Sequence, residues 1–474
     1  MVSPVVPISI LRSSRLTAWS LSALIVGMAA CGEPAADDAT SQQPPGNPPP
    51  QQMQPGDPDC PPSTVCDDIP AAYVLRDAMT GGYGNYDLAN RPFDRQEIRY
   101  IVIHTTEVSW DGTIKIFQNP AASASAHYLV RSSDGRIARF VSPVHVAWHA
   151  GNWYMNSHSV GIEHEANSFE GNKWFTDAMY ASSAKLVRHL ARRFGVPLDR
   201  AHIIGHDEVP GISQARQKAM HWDPGLYWDW DRYMQLLQAE DGVPTASQSS
   251  VDKGAADTAI LIAPKFAQNP QPASYCYGPN QASDCRDAPV QPANFLYLRT
   301  APDATAPLLP NPFLTVWPGD RMYNWGNKLS TGHTYVRAER SGDWDAIYFS
   351  GQKAWFYNPG LMHTRTALPQ QVTMVTPRAG LATVPVYGVS YPVLEGSYQA
   401  PSKPQTFEKI YDIAAGQKYV VTSRHTADYY WAKVYAKTLA EASHTVVREG
   451  TEYFQIEFNH RVAFVRTSDV DLLP

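Results

Sequence analysis

Glu97-Ile98-Arg99-Tyr100-Ile101-Val102-Ile103-His104-Thr105-Thr106 decides the fold class. The run from Tyr100 to Ile103 reads as a buried strand, and His104 stands at its end. A histidine so placed is held rigidly, as a metal ligand must be. Taken alone it is equally a satisfied core histidine. Outward from this strand, Ala126–Arg131 and Arg136–Ser142 read as a hairpin turning at Asp134-Gly135. Ser159–Ala166 reads as another strand. From Thr176 to Phe194, Met179, Leu186, Val187, Leu190 and Phe194 recur at helical spacing; Thr176 can cap the start, and Gly195 with Pro197 ends the helix. Strands and helices mixed in this way predict an α/β domain with a central mixed sheet flanked by helices, over residues 68–242.

The 474 residues allow about three domains. A net charge of −6 gives no global basic field for nucleic acid, so no nucleic-acid partner is expected. Residues 1–31 read as a targeting segment: Arg12 and Arg15, the apolar run Leu16–Ala30, then Met28-Ala29-Ala30-Cys31-Gly32. The last five resemble a bacterial lipobox, with Met28 where Leu is usual, which implies a lipid on Cys31 and a lipid-anchored place in the cell envelope, periplasm or outer membrane. Plain cleavage after Ala30 and secretion is the alternative. Residues 32–67, rich in Pro and Gln, read as a disordered tether. The remaining cysteines form two close pairs, Cys60/Cys66 and Cys276/Cys285, for which local disulfides are the simplest connectivity in an exported chain.

Beyond a linker at 243–258 the chain becomes short strands and turns. Leu296-Tyr297-Leu298-Arg299-Thr300-Ala301-Pro302, Gly342-Asp343-Trp344 and Trp355 are similar to bacterial SH3-like modules, and a weaker second copy follows. The expectation is one or two small all-β SH3-like barrels, at 259–362 and 363–474, that bind rather than react.

Ten of the fifteen histidines lie between His104 and His221, which is where a metal or acid–base site belongs. Four segments recur there in order: Ile101-Val102-Ile103-His104-Thr105-Thr106; Ser125-Ala126-His127-Tyr128; Ala147-Trp148-His149-Ala150-Gly151 with Asn156 and Gly161-Ile162-Glu163; and Gly205-His206-Asp207-Glu208 with His221-Trp222-Asp223-Pro224-Gly225. Together they resemble the zinc-dependent N-acetylmuramoyl-L-alanine amidases, the family of phage-type lysozymes and peptidoglycan recognition proteins, over roughly residues 99–230.

That resemblance implies a Zn2+ site of His104, His206 and Asp223, with His202 and His221 as competing neighbours. Two imidazoles, one carboxylate and an open position suit a catalytic zinc. Many relatives carry a Tyr just before the hairpin histidine, where this chain has Ala126; members without it use the Glu of the third segment. The resemblance therefore makes Glu163 the general base, with Glu165 as runner-up two residues along the same strand. His221 stands where several relatives carry a catalytic Lys, which implies oxyanion stabilisation and a loss of activity at alkaline pH. His127, Trp148, His149 and Asn156 are expected to line the groove. The implied reaction is hydrolysis of the amide between N-acetylmuramic acid and L-alanine in bacterial peptidoglycan. Two other readings stay open: a non-catalytic peptidoglycan sensor, and a glycosidase using Glu163 with Glu165.

Overall fold

The structure is a computed structural model; it describes residues 51–52, 57, 59–62, 64–75, 83–239, 249–276, 285–311, 313–315, 317–367, 372–393, 407–432 and 444–473. The expected targeting segment at 1–31, Cys31 included, and most of the tether lie outside the described residues. No described helix is long and apolar enough to cross a membrane.

The N-terminal half is built on a seven-stranded mixed sheet. In chain order its strands are β1 (Gln51–Gln52), β2 (Cys66–Asp68), β3 (Tyr100–Thr105), β4 (Tyr128–Val130), β5 (Ile137–Arg139), β6 (Ser159–His164) and β7 (Ile203–Gly205). They lie in the order β1-β2-β5-β4-β6-β3-β7. β3 is the last strand but one, parallel to β6 on one side and to the edge strand β7 on the other. β4 and β5 form the expected antiparallel hairpin. The helices of six residues or more are α1 (Trp110–Phe117), α2 (Trp153–His158), α3 (Asp177–Phe194) and α4 (Trp230–Gln238), and a shorter one spans Gln214–Lys218. α3 begins where expected: the Thr176 side chain accepts from the Met179 amide, a cap worth about 1 kcal/mol. It ends at Gly195, whose φ of 73° is the left-handed conformation that glycine adopts without strain.

Side chains alternate across the sheet. Ile101, Ile103, Val160 and Ile162 pack against Met179, Leu186, Val187 and Leu190 of α3 and against Trp230 and Tyr233 of α4. Tyr100, Val102 and Ile204 face the other way, into a core shared with Tyr154 and Met155 of α2 and with Tyr387, Tyr391, Tyr453 and Phe464. The second face of the sheet is thus covered by the C-terminal half.

Among the described residues that half holds two large antiparallel sheets, with several two-stranded ones beside them. The first contains β8 (Ser249–Val251), β9 (Ala259–Ile262), β10 (Thr334–Ser341), β11 (Trp344–Phe349), β12 (Gln352–Tyr357) and β13 (Thr364–Ala367), in the order β8-β13-β9-β10-β11-β12. Gly342, with φ 56°, makes the two-residue turn between β10 and β11. The second contains β14 (Thr373–Pro377), β15 (Tyr419–Ala432), β16 (His444–Ile456), β17 (Ala463–Arg466) and β18 (Val470–Leu473), in the order β17-β16-β15-β14-β18.

Three expected boundaries move. The fold takes in the end of the supposed tether. Asp59 is buried and accepts from Arg139 Nη1 at 2.6 Å and Ser142 Oγ at 2.7 Å, and β2 pairs in parallel with β5. Within the supposed linker, β8 pairs with β13 and buried Asp252 binds Arg337 Nη1 at 2.9 Å. The first C-terminal sheet reaches Ala367, past the expected boundary at 362. Both expected disulfides, Cys60–Cys66 and Cys276–Cys285, are formed.

Candidate metal centre

The parallel register sets Glu163 beside His104 and Ile162 beside Ile103. Ile103 and Ile162 face the helices, so His104 and Glu163 both leave the opposite face. On the far side of β3, Gly205 pairs with Ile103, which delivers His206 level with His104 as the chain enters a 3₁₀ turn over His206–Glu208. The two rings lie 4.3 Å apart. The loop at 220–228 returns the third group. Asp223 O accepts from the Asp207 amide at 2.7 Å, and Asp223 Oδ2 from the Thr105 amide at 3.2 Å. His104 Nδ1 then stands 3.4 Å from Asp223 Oδ2, and His206 Nδ1 3.0 Å from Asp223 Oδ1. All three residues are buried, and their ligand-capable atoms lie within 4.8 Å of one another. The cluster sits at the carboxyl ends of parallel strands, the usual place for a site in such a sheet.

A chain of hydrogen bonds orients His104. Ser159 Oγ donates to Met155 O, which can only accept. Its oxygen therefore accepts from His149 Nε2–H at 3.1 Å. His149 Nδ1, left bare, accepts from His104 Nε2–H at 2.9 Å. His104 Nδ1 is then an unprotonated lone pair facing the Asp223 carboxylate. Two electron-rich atoms opposed in this way repel unless a cation lies between them. The donor set thus fits a divalent metal.

Burial, reinforced by the charges of Asp223 and Glu107, pushes the Glu163 carboxyl well above the ordinary range. Its Oε2 is buried and has no hydrogen-bond partner among the described residues. Burial pushes His206 down to about 3, so its ring is neutral. His221 is the open side of the site: its side chain is 61% exposed, its Nδ1 is 3.6 Å from Asp223 Oδ1, and its ring stacks on His206 at 4.4 Å.

Several expected roles change. His127 does not line a groove. It is fully buried, its Nδ1 accepts from the Gly161 amide at 3.0 Å, and its Nε2 lies 3.3 Å from Arg91 Nη2. His149 stands behind His104 rather than in a cleft. Asn156 fixes the turn that carries it, accepting from the His149 and Ala150 amides at 3.2 and 2.8 Å. Of the four, only Trp148 keeps exposed surface, with its Nε1 donating to Asp87 Oδ2 at 2.7 Å. His202 lies in the turn before β7, 2.6 Å from Asp199 Oδ1, so it shares no helical face with His206. Glu165 is occupied by two backbone amides, Trp110 N at 2.8 Å and Ser132 N at 3.1 Å, which removes it as a base and as half of a glycosidase pair.

One residue escaped sequence reasoning. Glu107, at φ 53° just past β3, accepts from Thr105 Oγ1 at 2.9 Å and the Ser168 amide at 3.1 Å, and burial pushes its carboxyl to about 7. A lone Glu in a turn looks solvated in sequence; only its position three residues after His104 hinted otherwise.

Comparison with known proteins agrees with this geometry. The family model described as N-acetylmuramoyl-L-alanine amidase matches residues 94–226. N-acetylmuramoyl-L-alanine amidase A of Achromobacter lyticus is 36% identical over 154 residues, spanning 30% of this chain and 85% of that protein. The 1,6-anhydro-N-acetylmuramyl-L-alanine amidase AmpD of Haemophilus influenzae is 33% identical over 120 residues, spanning 24% of this chain and 59% of that protein. Among solved structures, the N-acetylmuramyl-L-alanine amidase AmiD of E. coli, in complex with anhydro-N-acetylmuramic acid-L-Ala-D-gamma-Glu-L-Lys, is similar with a TM-score of 0.25 and 23% identity, covering 32% of this chain and 61% of that one. A likeness of better than one residue in three across 85% of a relative makes this chain a member of the N-acetylmuramoyl-L-alanine amidase family.

Proposed function

We propose that this chain is a zinc-dependent amidase that hydrolyses the bond between the lactyl group of N-acetylmuramic acid and L-alanine in peptidoglycan. His104, His206 and Asp223 hold the metal, Glu163 is the general base, and His221 steadies the oxyanion. The observation that carries the catalytic reading over a binding-only one is Glu163: a half-buried carboxyl on the same rung as His104, whose Oε2 is buried and has no hydrogen-bond partner among the described residues. A protein that only bound wall would have no use for it.

Zinc at this site supplies Lewis-acid activation of water and of the scissile carbonyl at neutral pH. The protein's own residues do the rest. The Ser159–His149 chain holds His104 in one tautomer. Glu163 Oε2 takes the proton from the attacking water and passes one to the leaving amine of L-alanine. His221, exposed at the rim, donates to the oxygen on which charge builds. Trp148 offers an aromatic face beside the site. The anchor on Cys31 and the SH3-like character of the two C-terminal sheets belong to the same proposal: a lipid-held envelope enzyme with modules that grip wall. Fatty-acid labelling of wild type against Cys31→Ala tests the anchor.

The test of function is mass spectrometry of muropeptides after digestion of purified wall by metal-loaded and chelated protein. New L-alanine amino termini that vanish on chelation and return with zinc are expected. New reducing ends, or full activity without metal, overturn the reading.

A further inference from the structure

The loop at 220–228 brings Asp223 to the cluster, yet within the amidase half little secondary structure holds it. Asp223 O accepts from the Asp207 amide, but the carbonyls on either side of it are bonded from the C-terminal half. Asn294 Nδ2 donates to Gly225 O at 3.0 Å and to Trp228 O at 2.9 Å, and the Asn294 amide donates to Leu226 O at 2.9 Å. Trp325 Nε1 lies 3.4 Å from Trp222 O. Arg461 Nη2 reaches His221 O at 3.5 Å, its Nη1 bonds Gln217 O, and its Nε donates to Asp207 O at 3.1 Å. Leu226 and Tyr227 are buried in the core of the first C-terminal sheet, with Phe295 and Trp325.

We propose that the C-terminal half templates the metal centre, with Asn294 and Arg461 as positioning residues that hold the Asp223 loop against the turn carrying His206. This rests on the assignment of Asp223 as a ligand. Arg461 is suited to the task. Its guanidinium is buried and ties three carbonyls from three segments: the His206 turn through Asp207, the helix ending at Lys218 through Gln217, and the ligand loop through His221. The loop carrying Arg461 joins β16 to β17 of the second C-terminal sheet and is gripped by the first. Tyr335 Oη donates to Asn459 O at 3.0 Å, the Ser350 amide to Phe458 O at 3.0 Å, and the Val462 amide returns to Glu208 O at 2.9 Å. Asn294 serves the same end from the other side, closing Gly225 and Trp228 into one turn. A ligand on an otherwise free loop would have to be ordered each time metal bound; here that ordering is achieved when the two halves pack.

The experiment uses the full chain with Arg461→Met, Arg461→Lys and Asn294→Ala, and Ser390→Ala as the control. Ser390 Oγ bonds Tyr154 Oη across the same interface at 2.7 Å but does not touch the loop. Two readouts are taken: zinc affinity by competition with a chelator, and hydrogen exchange of peptides covering 205–228 in metal-free protein. Arg461→Met and Asn294→Ala should each weaken zinc about 10–100-fold, the usual weight of outer support to a metal site, and speed exchange at 205–228. Arg461→Lys should fall between. The control should lower thermal stability and leave both readouts unchanged. Zinc affinity and exchange within twofold of wild type in both loop variants overturn the proposal. If one variant does not fold, the other decides. Wild type that binds no zinc defeats the ligand assignment instead, while the exchange data still report on the clamp.

Discussion

Glu163 and His104 occupy one rung of the parallel β3–β6 ladder and leave the sheet on the same face. Neighbouring strands run about 4.8 Å apart, so a carboxyl placed there works on whatever His104 holds without any loop having to move. Glu163→Gln keeps the size of the side chain and loses its basicity. Turnover on muropeptides should drop ~10²–10⁴-fold with zinc still bound. Glu165→Gln should behave differently: one of two amides loses its acceptor, costing about 1–3 kcal/mol of stability, with turnover per folded molecule little changed. Steady-state rates beside urea titrations separate the two, and a crippled Glu165→Gln with full stability would refute the assignment.

The chain from His104 through His149 and Ser159 to Met155 O makes a metal-affinity prediction. His149→Ala removes the acceptor that keeps the proton on His104 Nε2. Zinc affinity should fall about 10–100-fold. Ser159→Ala should show a smaller loss, since His149 remains but either of its tautomers becomes available. Nitrogen chemical shifts of His104 in metal-free protein report the tautomer directly. A wild-type ring protonated on Nδ1 would exclude the relay.

How much of this was legible in sequence follows from range. β3, the hairpin, β6 and α3 each carry their pattern within a few residues, and the caps at Thr176 and Gly195 are local, so those elements fall where they were expected. The gathering of His104, His206 and Asp223 was legible because strand ends and short turns present His104 and His206, and the family segments around Asp223 are contiguous. His127 and His149 were misread because nothing local separates a histidine in a groove from one bonded behind it; Gly161 N and His104 Nε2, which decide the matter, are 34 and 45 residues away. The covering of Tyr100 and Val102 by Tyr387, Tyr453 and Phe464 had no local trace. A strand apolar on both faces says that something covers it, but not what.

His333 makes stability depend on pH. It is buried between Glu208 Oε1 at 3.0 Å and Glu457 Oε2 at 2.9 Å. Burial alone would lower its pKa, but Glu457 and Glu208 outweigh that and raise it to about 9. The folded value lies above the unfolded one. The contribution, on the order of 3 kcal/mol, is therefore fully present below about pH 6.5 and is lost as pH rises through about 9. Urea unfolding of metal-free protein from pH 6 to pH 9.5 should show that decline. His333→Gln keeps an N–H donor but does not titrate, so it should flatten the slope across this window. A parallel slope in wild type and variant would place the pH dependence elsewhere.

The last prediction concerns a chain ending near Gly242. If the C-terminal half only gripped polymer, such a chain would turn over small soluble muropeptides normally and fail only on intact wall. The packing argues otherwise. Removal strips Asp428 from Arg99 and from His158, each at 2.9 Å, and Gln455 from the Tyr100 hydroxyl at 2.7 Å. Glu208 loses His333, and Arg200, which pairs with Glu208, loses the cover of the same face. Each buried group left unpaired costs about 1–3 kcal/mol, and the several lost here compare with the whole stability of a small domain. The Asp223 loop also loses Asn294, Trp325 and Arg461. The shortened chain should be prone to aggregate, hold zinc at least about tenfold more weakly, and lose turnover on soluble and insoluble substrates alike. Rates on both substrates, with zinc content measured in parallel, decide. Wild-type turnover on soluble muropeptides combined with loss on wall would return the C-terminal half to a purely wall-binding role.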